Sequence, residues 1–407
     1  MRHKFLMGAA VLAAMASYTL AKPAFDMERA LTVANLFKGG EQYEKFNRMS
    51  EIFPHVTVAA PKNASEFEVG EPIELPSGFS FRGRNYDAEE FLAETDTAAL
   101  LVLQGGKIRS ENYWLTGGRD VQWLSMSVAK SFTSALVGLA VEDGFIEDIE
   151  DPITKYVPSL KGSGYDGARI KDILQMSSGA AWNEEEGNPD SDLAKLGRIW
   201  ALGGSFADFT TTIKPEHEPG TYFRYNSAST LVLGTLLDAT LDRPIQQYMQ
   251  EKLWQPLGME ENAYWLIDDD NLVMTHGGLN ATARDYAKLG ELYRKNGVWN
   301  GRQLIPSDWV QASTSPDAPH LMPGRDESPW GYGYQWWVIN GNEGEYSAIG
   351  IFNQFIYVNP SKDLVIVKLS AYSDYAGGSS FGTPTLELET IELFREIGDS
   401  ICTEAEC

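Results

Sequence analysis

The sequence predicts an α+β fold: an antiparallel sheet flanked by helices, with an inserted all-helical domain. Three observations predict it. A strand–turn–strand pattern stands near residue 100, a second stands near residue 360, and the text from about 150 to 260 is mostly helical. Strands at both ends of a chain pack most simply as one antiparallel sheet covered by the first and last helices. A cleft between that body and the helical insert is the natural place for a site.

The elements follow in order. Arg2, His3 and Lys4 precede a short apolar stretch from Phe5 to Ala16, closed by Thr19-Leu20-Ala21. A basic start, a short apolar core and small residues at its end are the plan of a secretory signal over residues 1–21. The stretch falls short of the roughly 20 apolar residues a membrane span needs, so no stable membrane insertion is expected after cleavage. The expected compartment is the periplasm or the medium. Residues 22–95 read as a Pro- and Gly-punctuated N-terminal extension with weak periodicity. Ala98 to Gln104, the turn Gly105-Gly106 and Lys107 to Trp114 read as a hairpin. Phe132, Ala135, Leu136, Leu139 and Ala140 follow helical spacing, and Gly144 closes that helix.

Further helices are expected over Gln246–Trp254 and Asp285–Lys295. Strands return at Tyr332–Ile339, Phe355–Val358 and Leu364–Leu369, the last two joined by the turn 359–363. Thr383–Cys402 reads as an amphipathic final helix. The expected organisation is a body of residues 96–150 and 265–403 with a helical insert at 151–264. Cys402 and Cys407 are either a short terminal disulfide or two idle thiols.

Composition narrows the function. The chain has 407 residues, 33 Lys and Arg against 57 Asp and Glu, and a formal net charge of −24. So acidic a protein repels phosphate backbones, which argues against nucleic-acid partners. Two cysteines cannot build a cysteine-based metal site, and the five histidines share no ligand spacing, so no metal or cofactor is expected. Asp268-Asp269-Asp270 lacks the Gly and distal Glu of a calcium loop and reads as a solvated turn. Phosphate-binding, dinucleotide and metalloprotease motifs are absent, as is G-x-S-x-G.

One pattern carries chemistry. Ser127-Val128-Ala129-Lys130 opens the apolar helix, and residues three apart share a helix face. A lysine one turn after a serine can hydrogen-bond its oxygen. If partly buried, its pKa falls and it can take the serine proton. The bland alternative is a capped helix with a solvated lysine, but Lys130 is flanked by Ala129, Ser131 and Phe132 and then by Ala135, Leu136 and Leu139, with no other basic residue from 127 to 140. A second element, Pro219 to Ser227, places Tyr225 on a turn before another apolar helix. From there a tyrosine can reach a cleft as acid or base.

These residues and four further stretches resemble the serine β-lactamase-like superfamily of penicillin-recognising hydrolases. The further stretches are Ile173–Gly179, Gly277–Asp285, Gly331–Trp337 and Ala348–Gln354. The nearest likeness is to 6-aminohexanoate-dimer hydrolases and class C-related esterases. The resemblance implies a β-lactamase/transpeptidase-like fold. It implies Ser127 as acyl nucleophile, Lys130 as its activator, Tyr225 as a proton-transfer group, and backbone N–H groups of Ser127 and Ile351 as the oxyanion hole. Gly350 ends the matching third motif. Three departures stand out. Ser227 fills the slot of the family's Asn in Y-x-N, with Asn226 beside the tyrosine. Ala348 replaces a Lys or His that helps hold a β-lactam carboxylate. Glu186 fills the slot of a loop tyrosine, near Trp182, and both are expected to contact substrate. The expectation is an exported serine hydrolase acting on a small ester or linear amide. The alternatives are a class C-like β-lactamase or D-peptidase, and a non-catalytic cell-wall-binding relative.

Overall fold

The computed structural model describes residues 26–325, 328–375 and 385–401. The stretch expected to be a secretory signal and both cysteines lie outside them.

The elements that position the site are, in chain order, α1 (Met27–Ala34), β1 (His55–Val58), β2 (Glu68–Val69), α2 (Ala88–Glu94), β3 (Thr97–Gln104), β4 (Lys107–Tyr113), β5 (Trp123–Leu124), α3 (Ala129–Glu142), α4 (Asp192–Leu202), α5 (Ser227–Thr240), β6 (Ala263–Leu266), β7 (Leu279–Ala281), α6 (Ala283–Arg294), β8 (Gly331–Tyr332), β9 (Trp337–Val338), β10 (Tyr346–Gly350), β11 (Gln354–Asn359), β12 (Leu364–Ser370) and α7 (Thr385–Ile401).

The main sheet has eight strands in the order β8-β9-β10-β11-β12-β3-β4-β2. Every neighbouring pair is antiparallel except β2 with β4. Strands from both ends of the chain meet where β12 pairs with β3. Both faces of the central strands are buried, which explains their continuous apolar runs. Leu100, Val102, Phe355 and Tyr357 point to one face, against Phe91 of α2 and Phe394 and Ile397 of α7. Leu101, Leu103, Ile356 and Val365 point to the other, with Phe132 of α3 and Leu289 of α6. The α+β architecture is the one predicted.

A second sheet, β1-β6-β7-β5, is antiparallel throughout. Its strand β5 leads straight into the serine turn. The N-terminal segment is therefore more structured than its weak periodicity suggested: it supplies an edge strand to each sheet, and α1 lies on α4. The aspartate run is not a solvated turn throughout. Asp268 is buried and accepts hydrogen bonds from the backbone N–H groups of Phe206, Asp270 and Leu272. Tyr332–Ile339 is not one strand: Gln335, at a φ of +62°, breaks it between β8 and β9.

Candidate active site

Ser127 sits in a single helical turn, Met126–Val128, that runs directly into α3. Met126 adopts a φ of +45°, a conformation that costs a side-chain-bearing residue on the order of 1–3 kcal/mol and persists only where its surroundings impose it. They do so here. The Ser125 N–H donates to the Leu279 carbonyl of β7 at 2.8 Å, and its hydroxyl donates to the Met126 carbonyl at 3.0 Å. The α3 helix is buried along Ala129–Ala140, its apolar residues joined by the buried polar side chains of Lys130, Ser131, Thr133 and Ser134.

Lys130, one turn into α3, is 2% exposed. Its Nζ lies 2.7 Å from Ser127 Oγ, 3.1 Å from Ser227 Oγ and 2.9 Å from the His276 carbonyl oxygen. Burial holds its pKa down to about 7, against an opposing pull from Glu184. Tyr225 is 7% exposed, and its ring centroid is 5.1 Å from Lys130 Nζ. It stacks on Trp337 at 5.2 Å and meets Tyr332 edge-on. Burial pushes its phenol well above the ordinary range, despite a hydrogen-bonding interaction with Ser127 that works the other way. At neutral pH this tyrosine is a neutral phenol.

The Y-x-N departure has a local cause. Asn226 is spent as the N-cap of α5, its side chain accepting from the Ser229 N–H at 3.2 Å. Ser227 then turns to Lys130. Its hydroxyl also donates to Glu184 Oε1 at 2.5 Å, and its N–H donates to Glu184 Oε2 at 3.0 Å. Trp182 Nε1 donates to that second oxygen as well. Burial raises the Glu184 pKa, and Lys130 partly offsets it. Serine, lysine, serine and glutamate thus form one connected chain of polar groups.

Strand β10 ends against the serine turn. A Cβ built on Gly350 would lie 2.7 Å from the Ser125 carbonyl oxygen and 3.0 Å from the Ser127 nitrogen. Only glycine lets the backbone come this close. Ile351, the next residue, lines the cavity at Ser127.

The remaining expected contacts lie around the site without lining the cavity at Ser127. Ala348 is buried in the core two residues back along β10. Trp182 holds Glu184 and packs edge-on against Phe209. Glu186 has a buried Oε1 with no hydrogen-bond partner, burial pushes its pKa up to about 8, and its charge acts on the Tyr225 phenol. None of the three lines the cavity, whereas Glu184 does. His276, scattered in sequence from any partner, also lines it. Its ring is buried edge-on to Phe206, and burial followed by Lys130 keeps it neutral. Among the described residues no cluster of three or more His, Cys, Asp or Glu side chains could hold a metal ion. No helix there is long and apolar enough to cross a membrane.

Fold and site together define a hydrolase of the β-lactamase fold. The chain belongs to the beta-lactamase family, whose sequence model matches residues 87–380. It is 32% identical over 342 residues to the 6-aminohexanoate-dimer hydrolase of Paenarthrobacter ureafaciens, covering 81% of this chain and 85% of that protein. A structure described as a candidate 6-aminohexanoate-dimer hydrolase from Bacillus anthracis superposes with a TM-score of 0.80. It is 23% identical and covers 90% of this chain and 97% of that one. EstCE1, a hydrolase with promiscuous acyltransferase activity, has a TM-score of 0.60 at 16% identity, over 77% of this chain and 96% of its own.

Proposed function

We propose that this protein is an exported serine hydrolase that cleaves small carboxylic esters or linear amides through an acyl-enzyme on Ser127. The observation that carries the reading is the Lys130 amine, buried and 2.7 Å from Ser127 Oγ. A lysine whose pKa is near 7 is substantially a free amine at neutral pH and can act as a base. The Ser127 proton passes to Lys130 as Oγ attacks the substrate carbonyl. The oxyanion forms between the N–H groups of Ser127 and Ile351, each such donor being worth on the order of 3 kcal/mol of transition-state stabilisation. Collapse of the tetrahedral adduct expels the alcohol or amine, which takes its proton from Lys130, directly or through the neutral Tyr225 phenol. Water, deprotonated by the same lysine, then attacks the acyl ester and frees Ser127.

The sequence departure at Ala348 favours esters and linear amides over β-lactams, because the Lys or His that helps hold a β-lactam carboxylate in the resembling family is missing there and Ala348 itself is buried in the core. The apolar opening of the chain, residues 5–16 after three basic residues, supports export. Fluorophosphonate labelling of the mature protein tests the central step. The expected result is one adduct by intact mass, absent in Ser127→Ala, together with loss of p-nitrophenyl acetate turnover in that variant. An unlabelled, inactive wild type would favour the non-catalytic reading. Fast nitrocefin turnover that depends on Ser127 would favour a β-lactamase.

A further inference from the structure

We propose that Lys368 is a positioning residue of the reaction: from within the main sheet's core it holds Asn353, and with it the turn that aims the Ile351 N–H at the oxyanion. The inference rests on the Ser127 acyl-enzyme reading and adds to it a residue that does not line the cavity.

Ile351 opens the turn between β10 and β11, whose strands pair Gly350 with Gln354. The next two residues, Phe352 and Asn353, both stand in the left-handed region, at φ of +64° and +70°. Asparagine visits that region with little penalty, and a bulky aromatic does not. Such a turn keeps its shape only where its surroundings impose it. Three successive side chains anchor this one. The Phe352 ring is fully buried and meets Phe37, Phe46 and Tyr375 at centroid distances of 5.4, 5.3 and 5.3 Å. The Gln354 amide donates to the Phe352 carbonyl at 3.3 Å, and its oxygen accepts from the Ser370 N–H of β12 at 3.0 Å. Between them, Asn353 is held by Lys368.

Lys368 lies on β12 and is fully buried. Its Nζ donates to Asn353 Oδ1 at 2.5 Å and to Thr95 Oγ1, at the end of α2, at 3.0 Å. The Thr95 hydroxyl gives its own proton to the Phe91 carbonyl at 2.8 Å, so towards the lysine it can only accept. Ser370 Oγ, 2.5 Å from Nζ, has a proton to give. Two acceptors and one donor complement a neutral amine, with two N–H groups and one lone pair. Burial favours that form, holding the Lys368 pKa well below its ordinary value against a weaker pull from Asp96. On the far side, Asn353 Nδ2 donates to Thr390 Oγ1 of α7 at 3.0 Å. Thr390 stands 3.4 Å from Asn353 Oδ1, and its proton is directed to the Leu386 carbonyl at 2.8 Å. Without the lysine, the buried Asn353 oxygen would lose its strong donor, a loss that pulls the turn toward a new partner. The turn begins where a Cβ on Gly350 would lie 3.0 Å from the Ser127 nitrogen, so a small shift there reaches the reacting atoms.

The experiment measures kcat and KM for p-nitrophenyl acetate with the full mature chain and three variants, folding being followed by thermal melting. Lys368→Met keeps most of the side chain's length and removes its nitrogen. Asn353→Gly removes the amide and leaves a residue that accepts the left-handed backbone. Acylation and deacylation both pass through an oxyanion, so a misaimed Ile351 N–H slows the two alike. Each single variant is therefore expected to lower kcat by about 10- to 100-fold, with KM within about twofold of wild type. The double variant is expected to match Asn353→Gly, because the lysine acts through the asparagine. Losses that multiply in the double variant overturn the inference. So does either single variant, if folded, that keeps wild-type kcat and shows only a lower melting temperature. Should Lys368→Met not fold, Asn353→Gly alone decides. Turnover that survives in Ser127→Ala would instead overturn the serine reading beneath it, whatever Lys368 does.

Discussion

Changing Glu184 to Gln should move the acid limb of kcat/KM to lower pH. Burial holds the Lys130 pKa near 7, and Glu184 is the charge that pulls it back up. The hydrogen bonds through Ser227 are 3.1 and 2.5 Å long, which places the amine within about 6 Å of the carboxylate. At that separation and an effective dielectric of about 20, two unit charges couple by about 3 kcal/mol, or about two pH units. The rest of the Glu184 side chain is partly exposed, so screening reduces this to about one unit. An amide would also donate to Ser227 Oγ instead of accepting from it. The serine hydroxyl would then be free to donate to a neutral lysine, which shifts the limb in the same direction. Wild-type activity should rise with pH through about 7, as Lys130 loses its proton, and the variant through about 6. The assay is kcat/KM for p-nitrophenyl acetate from pH 5 to 9 at constant ionic strength, read at the isosbestic wavelength of the product. Since kcat/KM reports the free enzyme and the two groups titrate together, the limb belongs to the pair. A limb that stays near 7, or moves up, would refute the coupling.

Three further outcomes are expected. Gly350→Ala puts a methyl group 2.7 Å from the Ser125 carbonyl oxygen; the strand end must retreat from Ser127, and kcat should fall by about 10²-fold or more, with thermal melting showing the protein still folded. Glu387, buried on α7 with Tyr375 donating to it, has its pKa pushed up to about 7 by burial. An unfolded glutamate ionises near 4.5, so this residue's stabilising effect is complete below that pH and is lost as pH rises through about 7; Glu387→Gln should therefore melt higher than wild type at pH 8 and close to it at pH 4. Ser227→Ala removes the bridging hydroxyl but leaves the Glu184 charge near Lys130, so adding Glu184→Gln to it should still move the pH limb down, by about the Coulomb part of the shift that Glu184→Gln gives alone.

Much of the fold was legible because it is written in short-range periodicity. The β3–β4 hairpin, the β11–β12 pair and helices α3 and α6 follow local spacing, and each stands within a few residues of its expected place. Ser127 and Lys130 were legible for the same reason: their contact needs one helical turn and no tertiary knowledge. Glu184 was not. Its neighbour Glu186 occupies the expected slot in the loop, and two acids two residues apart differ only in which way the folded loop turns them. Trp182 and the Ser227 N–H decide that, and both partners are long-range or conformational. An acid two residues after a tryptophan, in a loop following Ser177-Ser178-Gly179, was the only available signal. Helix α1 was missed because eight residues carry too little periodicity to stand out, and its role depends on α4, more than 150 residues away in sequence.

The exchange of Asn for Ser at position 227 makes sense only together with Glu184. An asparagine offers a lysine an acceptor and keeps its own donor for another partner. A serine hydroxyl has one proton, which here is committed to Glu184 Oε1. That leaves Ser227 Oγ able only to accept from Lys130. The His276 carbonyl, the second partner, can also only accept. A neutral amine has two N–H donors and one lone pair. With both donors directed at Ser227 and His276, the lone pair is left for the third partner, Ser127, whose hydroxyl can donate. In the proposed mechanism Glu184 would serve the reaction in two opposed ways. Its charge raises the lysine pKa, but its hold on the Ser227 proton aims the free amine at the nucleophile. The site gives up some of the fraction of lysine that is neutral and gains a fixed direction for the proton transfer.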